Sequence, residues 1–345
     1  TTASVTGLTF QPDLILASGA GFGTNANNYD GKLSFGCATR FGSIKNSSSA
    51  FRMRNNLTAS VGTTVSEYFS DARCFSIFSN VTATAIATAD VTAFNNDGFT
   101  VTSRSTFTSG STNIMLYMAI KGPSSNIFDL QNYTSSTSTG ISGIATSDFI
   151  PSLVLGSLGT VTSINTETTS NDSTGISFFA AKSLTPKSNY GLGTMSVTSG
   201  LTAVSGSGTA FSSLNSGDVV YNSTNTLIGI ISSVSTNTSL TLSSGASATM
   251  SSETYSIIPY GQFSVSIGSS NNASTTKVYS AINTNPFFVA SYGSAATPTT
   301  LVKAKVNNFD SYPGFKFNYD TANATARKGW ILAFKDNENR RRDGN

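Results

Sequence analysis

Three segments carry residue types at spacings that could do chemistry. Gly19-Ala20-Gly21-Phe22-Gly23 has the glycine density of a phosphate-cradling loop. That chemistry needs a helix N-terminus directly after the glycines, and a lysine in the P-loop form. The residues that follow, Thr24 to Tyr29, offer neither, so the segment reads as a glycine loop. Asn27-Asn28-Tyr29-Asp30-Gly31 and Asn95-Asn96-Asp97-Gly98 resemble calcium loops in composition. A calcium site draws on about six to eight oxygens, several from carboxylates, and often ends on a bidentate glutamate. No glutamate lies at a suitable distance, so both read as hairpin turns and no metal is expected.

The remaining chemistry is thin. The chain has no histidine, which removes the commonest general base and the commonest metal ligand. Cys37 and Cys74 cannot make a zinc site by themselves; they are either two buried thiols or one bridge. Serines are abundant, but nothing signals a base to activate one. A carboxylate pair of the glycosidase kind could still be assembled in three dimensions from the 17 acids. Phenylalanines at alternating positions read as core, whereas Tyr29, Tyr133 and Tyr221, beside polar turn-like residues, could stack on a sugar. No catalytic residue, cofactor or enzymatic activity is expected.

Only 11% of the 345 residues are charged, against about 25% in an ordinary soluble domain, while 38% are apolar before 30 glycines are counted. Ser and Thr make up roughly 31%. Such a chain can bury a core under a surface of hydroxyls and amides, which excludes a disordered polyelectrolyte. The net charge of +3 is scattered, and the one dense basic cluster is Arg340-Arg341-Arg342 in a polar tail. A nucleic-acid binder would show a basic stripe with interleaved aromatics, so no nucleic-acid partner is expected. No membrane association is expected either, because no run approaches about 18 apolar residues. The opening Thr1-Thr2-Ala3-Ser4 lacks the pattern of a secretion signal.

The elements that must position these residues are strands. Phe315, Phe317 and Tyr319 alternate, as do Leu240 and Leu242, and short apolar runs are separated by Gly, Asn, Asp and Ser clusters. Period two with turns at this spacing predicts an all-β chain. Within it lies a duplication. Phe10-Gln-Pro-Asp-Leu-Ile-Leu16 recurs as Phe149-Ile-Pro-Ser-Leu-Val-Leu155, Leu33-Ser-Phe35 as Ile176-Ser-Phe178, and Ala119-Ile-Lys121 as Ala333-Phe-Lys335. The offset grows from 139 at the first pair to 214 at the last, so the second copy holds an insertion of about 75 residues. Insertion at an exposed loop costs little closure entropy. The expected layout is a β-sandwich repeat over 1–122, a linker over 123–140, and a second repeat over 141–190 and 261–336. A small inserted β domain occupies 191–260, and a basic tail 337–345. Cys37 corresponds to Ala180, so the shared fold does not depend on a bridge there.

Phe10 to Leu16, Thr92 to Thr100 and Tyr117 to Lys121 resemble a family of repeat domains in structural proteins of tailed bacteriophages, marine ones especially. The second copy departs from the pattern, with Ser152 in place of the Asp and Tyr312-Pro-Gly-Phe in place of Asp-Gly-Phe. Gly193-Thr194, Val204-Ser-Gly206, Gly208-Thr209 and Gly217-Asp218 resemble a small β module of phage tail and fibre proteins. The resemblance implies two tandem jelly-roll or lectin-like β-sandwiches, the second interrupted by a small barrel-like module. It implies a virion structural protein on the particle surface: a capsid decoration (cement) or surface-spike protein, acting through apolar and shape contacts more than through charge. Other virion proteins, capsid or tail, would be its partners, and it would form a homo-oligomer, expected as a trimer. The alternative is a tail-fibre or receptor-binding protein that recognises a host glycan, with a polysaccharide depolymerase behind it. Trp330, Phe334, Arg340, Arg341 and Arg342 are the expected docking edge, since a terminal strand and arm can add to a neighbour's sheet.

Overall fold

The computed structural model describes residues 1–20, 30–54, 64–78, 86–105, 114–123, 127–144, 149, 151–170, 173–183, 192–214, 216–224, 226–258, 260–270, 277–283, 288–294, 297–308 and 314–335. Among the described residues, strands account for nearly all the regular structure, with one short 3-10 turn at Phe211–Ser213. β-Branched and aromatic residues on alternating positions favour this state, and Ser, Thr, Asn and Gly disfavour helix.

The first copy supplies β1 (Thr2–Val5), β2 (Leu14–Ala20), β3 (Asp30–Thr39), β4 (Lys45–Arg54), β5 (Thr64–Ser70), β6 (Phe75–Phe78), β7 (Ile86–Asn95), β8 (Gly98–Ser103) and β9 (Ile114–Ile120). Next come β10 (Phe128–Thr134), β11 (Gly140–Ile144), β12 (Pro151–Gly159), β13 (Glu167–Ser170) and β14 (Ser173–Ser183). The insertion contributes β15 (Thr194–Val197), β16 (Ala203–Ser207), β17 (Val219–Asn222), β18 (Leu227–Thr236), β19 (Ser239–Leu242), β20 (Met250–Glu253) and β21 (Tyr255–Ile258). The chain closes on β22 (Tyr260–Ser270), β23 (Lys277–Asn283), β24 (Phe288–Ser294), β25 (Thr297–Asn308), β26 (Phe315–Thr321) and β27 (Lys328–Lys335).

Two six-stranded and two four-stranded sheets accompany the sheet of the insertion among the described residues. One large sheet runs β13-β5-β4-β3-β2-β9 and the other β23-β22-β14-β12-β27-β10; the small sheets run β1-β8-β7-β6 and β11-β26-β25-β24. Strand for strand, β9-β2-β3-β4-β5 answers to β27-β12-β14-β22-β23. Each large sheet gains one further strand, β13 beside β5 in the first and β10 beside β27 in the second. The stretch expected to be a linker is therefore partly a strand: β10 pairs antiparallel with β27 along its whole length, Phe128 opposite Phe334 to Thr134 opposite Lys328. At the β7–β8 hairpin, Asn96 and Asp97 form the turn between Asn95 and Gly98, as the Asn-Asn-Asp-Gly pattern predicts. A Cβ on Gly98 would sit 1.9 Å from the Val5 carbonyl oxygen, so glycine is required where β1 ends.

Two compact units result, 1–179 with 264–345, and 180–263. The repeats are not separate units. Ile15, Ala17, Phe75, Ile77 and Phe99 fill the sandwich of the first copy. A further core, Leu14, Cys37 and Phe69 with Leu130, Val161, Trp330 and Leu332, joins residues of both copies. Phe35 stacks on Trp330 at 5.4 Å and meets Phe178 edge-on at 5.6 Å. The linker strand is thus drawn into packing instead of left in solvent, because Phe128 and Leu130 have an apolar face to cover.

The 180–263 unit has its own core, among it Met195, Val204, Phe211, Val220, Ile228, Leu240 and Ile257. Its sheet runs β20-β15-β16-β19-β18-β17-β21. The two end strands are separated in sequence by Thr254 alone, which obliges the sheet to curl back on itself.

Candidate interaction surfaces

Of the motif residues that stood out in the sequence, Asp13 and Ser152 are used inside the fold, while Gly21 to Tyr29 lie outside the described residues. Asp13 is buried just before β2, and its carboxylate accepts from Arg40 Nε at 2.9 Å and, at the other oxygen, from Gly122 N–H at 2.8 Å. It thereby ties the β3–β4 turn and the exit of β9 to β2. Ser152 occupies the equivalent place in the second copy and donates its hydroxyl to the Phe334 carbonyl at 3.2 Å. Asp90 is gripped by Arg104 through Nε at 2.6 Å and a second nitrogen at 3.0 Å, and Asp129 accepts from Lys45 at 3.3 Å.

One buried carboxyl had no sequence signal. Glu67, on β5, is 1% exposed and lies against the second copy, where Thr160 N–H donates to both its oxygens at 2.9 and 3.0 Å. The Thr160 hydroxyl also bonds it, and Arg327 donates to the Thr160 carbonyl at 2.6 Å. Burial pushes the Glu67 carboxyl up to about 8, against the lowering pull of the Thr160 hydrogen bonds and the Arg327 charge. A Cβ on Gly159 would stand 1.6 Å from Glu67 Oε1, so only glycine leaves room for the carboxyl.

Cys37 and Cys74 are both free and buried. They serve different cores, Cys37 the one shared between copies and Cys74 the first sandwich. Burial raises the Cys37 thiol and pushes Cys74 up to about 12, so neither is an activated nucleophile. Tyr133 and Tyr221 are buried, at 5% and 8% exposure, which removes them as sugar platforms; Tyr29 lies outside the described residues.

The expected docking edge needs correction. Trp330 is fully buried and Phe334 packs its ring against Phe128 at 5.3 Å. Their strand, β27, is hydrogen-bonded on one side to β10 and on the other to β12, so it offers no free edge. Arg340, Arg341 and Arg342 lie outside the described residues.

Among the described residues, an uncovered edge lies on the equivalent strand of the first copy. β9 ends its sheet, paired only with β2 among the described residues. Leu116 is 68% exposed and Met118 60%, whereas Trp330 and Leu332, at the corresponding positions, are wholly buried. A second surface feature is a polar groove of about 640 Å³ lined by Lys45, Asn46, Ser47, Asp71, Arg73, Asp90, Gln131 and Asn132 together with Ile44, Ala72 and Leu130. It offers amides and paired charges, with no aromatic ring among its lining residues. Among the described residues no group of three or more Cys, Asp or Glu side chains is placed to hold a metal ion, and no helix is long and apolar enough to cross a membrane.

Comparison with protein-family models, with curated proteins and with solved structures finds no match for this chain.

Proposed function

We propose that the chain is a non-enzymatic structural protein of a bacteriophage virion: a capsid decoration or surface-spike protein, homotrimeric, held to capsid or tail proteins on the particle surface. The observation that carries this reading is the division of labour among its side chains. Asp13, Glu67, Asp90 and Asp129 are all bound into the fold, while edge strands carry exposed apolar side chains, Leu116 and Met118 on β9, Ile141 on β11 and Ile282 on β23. A protein built this way acts through contact. Apolar and backbone contacts depend little on ionic strength, unlike exposed ion pairs. The phage assignment itself rests on the resemblance of the Phe10–Leu16 and Thr92–Thr100 segments.

Quantitative peptide mass spectrometry on purified particles tests it. Hundreds of copies per genome place the chain on the capsid lattice or along the tail. Three to a few dozen move it to fibres or vertices. Finding none refutes the virion assignment.

The polar groove favours a second reading, a receptor-binding protein for a host glycan. Asn46, Gln131, Asn132 and Lys45 present donors and acceptors suited to sugar hydroxyls. Glycan-array binding lost on Asn132→Ala would support it.

A further inference from the structure

We propose that the uncovered edge of β9 is a self-association seam, in which β9 pairs antiparallel with β9 of a second copy of this chain about a two-fold axis at Tyr117. The duplication shows what this edge accepts. On β27, the counterpart of β9, the same edge carries an antiparallel strand, β10, with Leu130 opposite Leu332 and Asn132 opposite Trp330. Both Trp330 and Leu332 are buried there, while the side chains at the same two positions of β9, Leu116 and Met118, stand in solvent.

The choice of a second copy follows from the strand itself. Residues 114–120, Ile-Met-Leu-Tyr-Met-Ala-Ile, carry no charge and no proline, the devices by which edge strands ordinarily repel one another. A charged partner gains nothing along this edge. A self-pair gains on both sides, because a two-fold interface presents the same patch twice. With the axis at Tyr117, Leu116 lies opposite Met118 of the second copy, and Met118 opposite its Leu116. All four apolar side chains then share one face, since residues two apart on a strand point the same way. Leu116 of the second copy stands to Met118 as Leu130 stands to Leu332. On the other face the Tyr117 ring keeps its edge-on contact with Phe99 at 5.0 Å.

The inference deepens the contact reading given above but is tested on the purified chain, so its failure leaves the particle copy number untouched. Sedimentation at about 100 µM suits a seam smaller than a standard interface. The full chain is expected to show an even multiple of its own mass, a dimer or, where trimers pair, a hexamer. Leu116→Lys with Met118→Lys places like charges across the seam and is expected to halve that mass, weakening association at least about tenfold. Leu116→Lys with Met118→Glu sets opposite charges face to face in this register alone, and is expected to restore the larger species. Both variants alter exposed side chains, and an unchanged strand signal in circular dichroism confirms that they fold. A wild-type mass of one chain or an odd number of chains overturns the proposal. So does a double-lysine variant of unchanged mass, or a Lys/Glu variant as dissociated as the Lys/Lys one.

Discussion

Glu67 is a carboxyl whose surroundings favour its proton. The folded chain holds that proton up to about pH 8, whereas an unfolded chain releases it near the ordinary value of 4.5. Stabilisation from this group is therefore complete below about pH 4.5 and is lost as the pH rises through 8. Glu67→Gln keeps the shape without the titration, with its one amide oxygen placed to accept from the Thr160 N–H and its NH2 to donate to the Thr160 hydroxyl. Denaturant unfolding from pH 5 to 9 should show the wild type losing a few kcal/mol across that window through this site, and the variant losing less, so that it is the more stable protein at pH 9. Equal slopes would refute the assignment. Asp13 acts through hydrogen bonds to Arg40 and to the Gly122 N–H. Asp13→Ala orphans the Gly122 N–H and is expected to cost about 2 kcal/mol in urea unfolding, kept modest by the partial exposure of Arg40. The Phe-x-Pro-Asp pattern is visible in the sequence, but its use is not. An Asp beside a proline reads equally as a turn residue until Arg40 and Gly122 are brought to it.

Among the elements, one strand type meets two environments. Trp330 on β27 is sealed between the copies, and its truncation to Ala should cost about 3–5 kcal/mol. Leu116→Ala, at the same position of β9, should change the unfolding free energy of the monomeric chain by no more than about 0.5 kcal/mol. Urea unfolding of the two variants side by side measures the contrast directly. The strands are legible because alternation survives in a sequence, and Ala119-Ile-Lys121 with Ala333-Phe-Lys335 marks the two closing strands as counterparts. Which closing strand is open is not legible. Trp330 and Phe334 read as a docking edge in the sequence, yet β10 covers that edge. β10 escapes notice because its Ser/Thr-rich flanks resemble linker, although Ile127, Phe128, Leu130 and Tyr133 mark it as something that must be buried.

For the molecule as a whole, packing in two units predicts separable behaviour. The 180–263 unit buries its own core from Met195 to Ile257, so a fragment spanning it should unfold cooperatively and show dispersed amide resonances in isolation. A fragment that stays disordered would show that its core depends on the rest of the chain. The repeats should behave otherwise. Their shared core of Leu14, Phe69, Leu130, Trp330 and Leu332 couples them, so residues 1–122 alone would expose an apolar sheet face and aggregate or fail to fold. Both cysteines lie within cores of this unit and should resist thiol reagents until global unfolding.

Alternation, turn residues and spacing suffice for the all-β class. These are properties of neighbours along the chain, and a sequence records them directly. Three features belong instead to the folded molecule: the core shared by the copies, the enclosure of Glu67 beside Gly159 and Thr160, and the edge of β9, unpaired among the described residues where β27 is covered. Each depends on residues far apart in the chain meeting in space. Burial, edge pairing and carboxyl protonation are set there by what a side chain packs against, and a linear pattern of residue types does not record it.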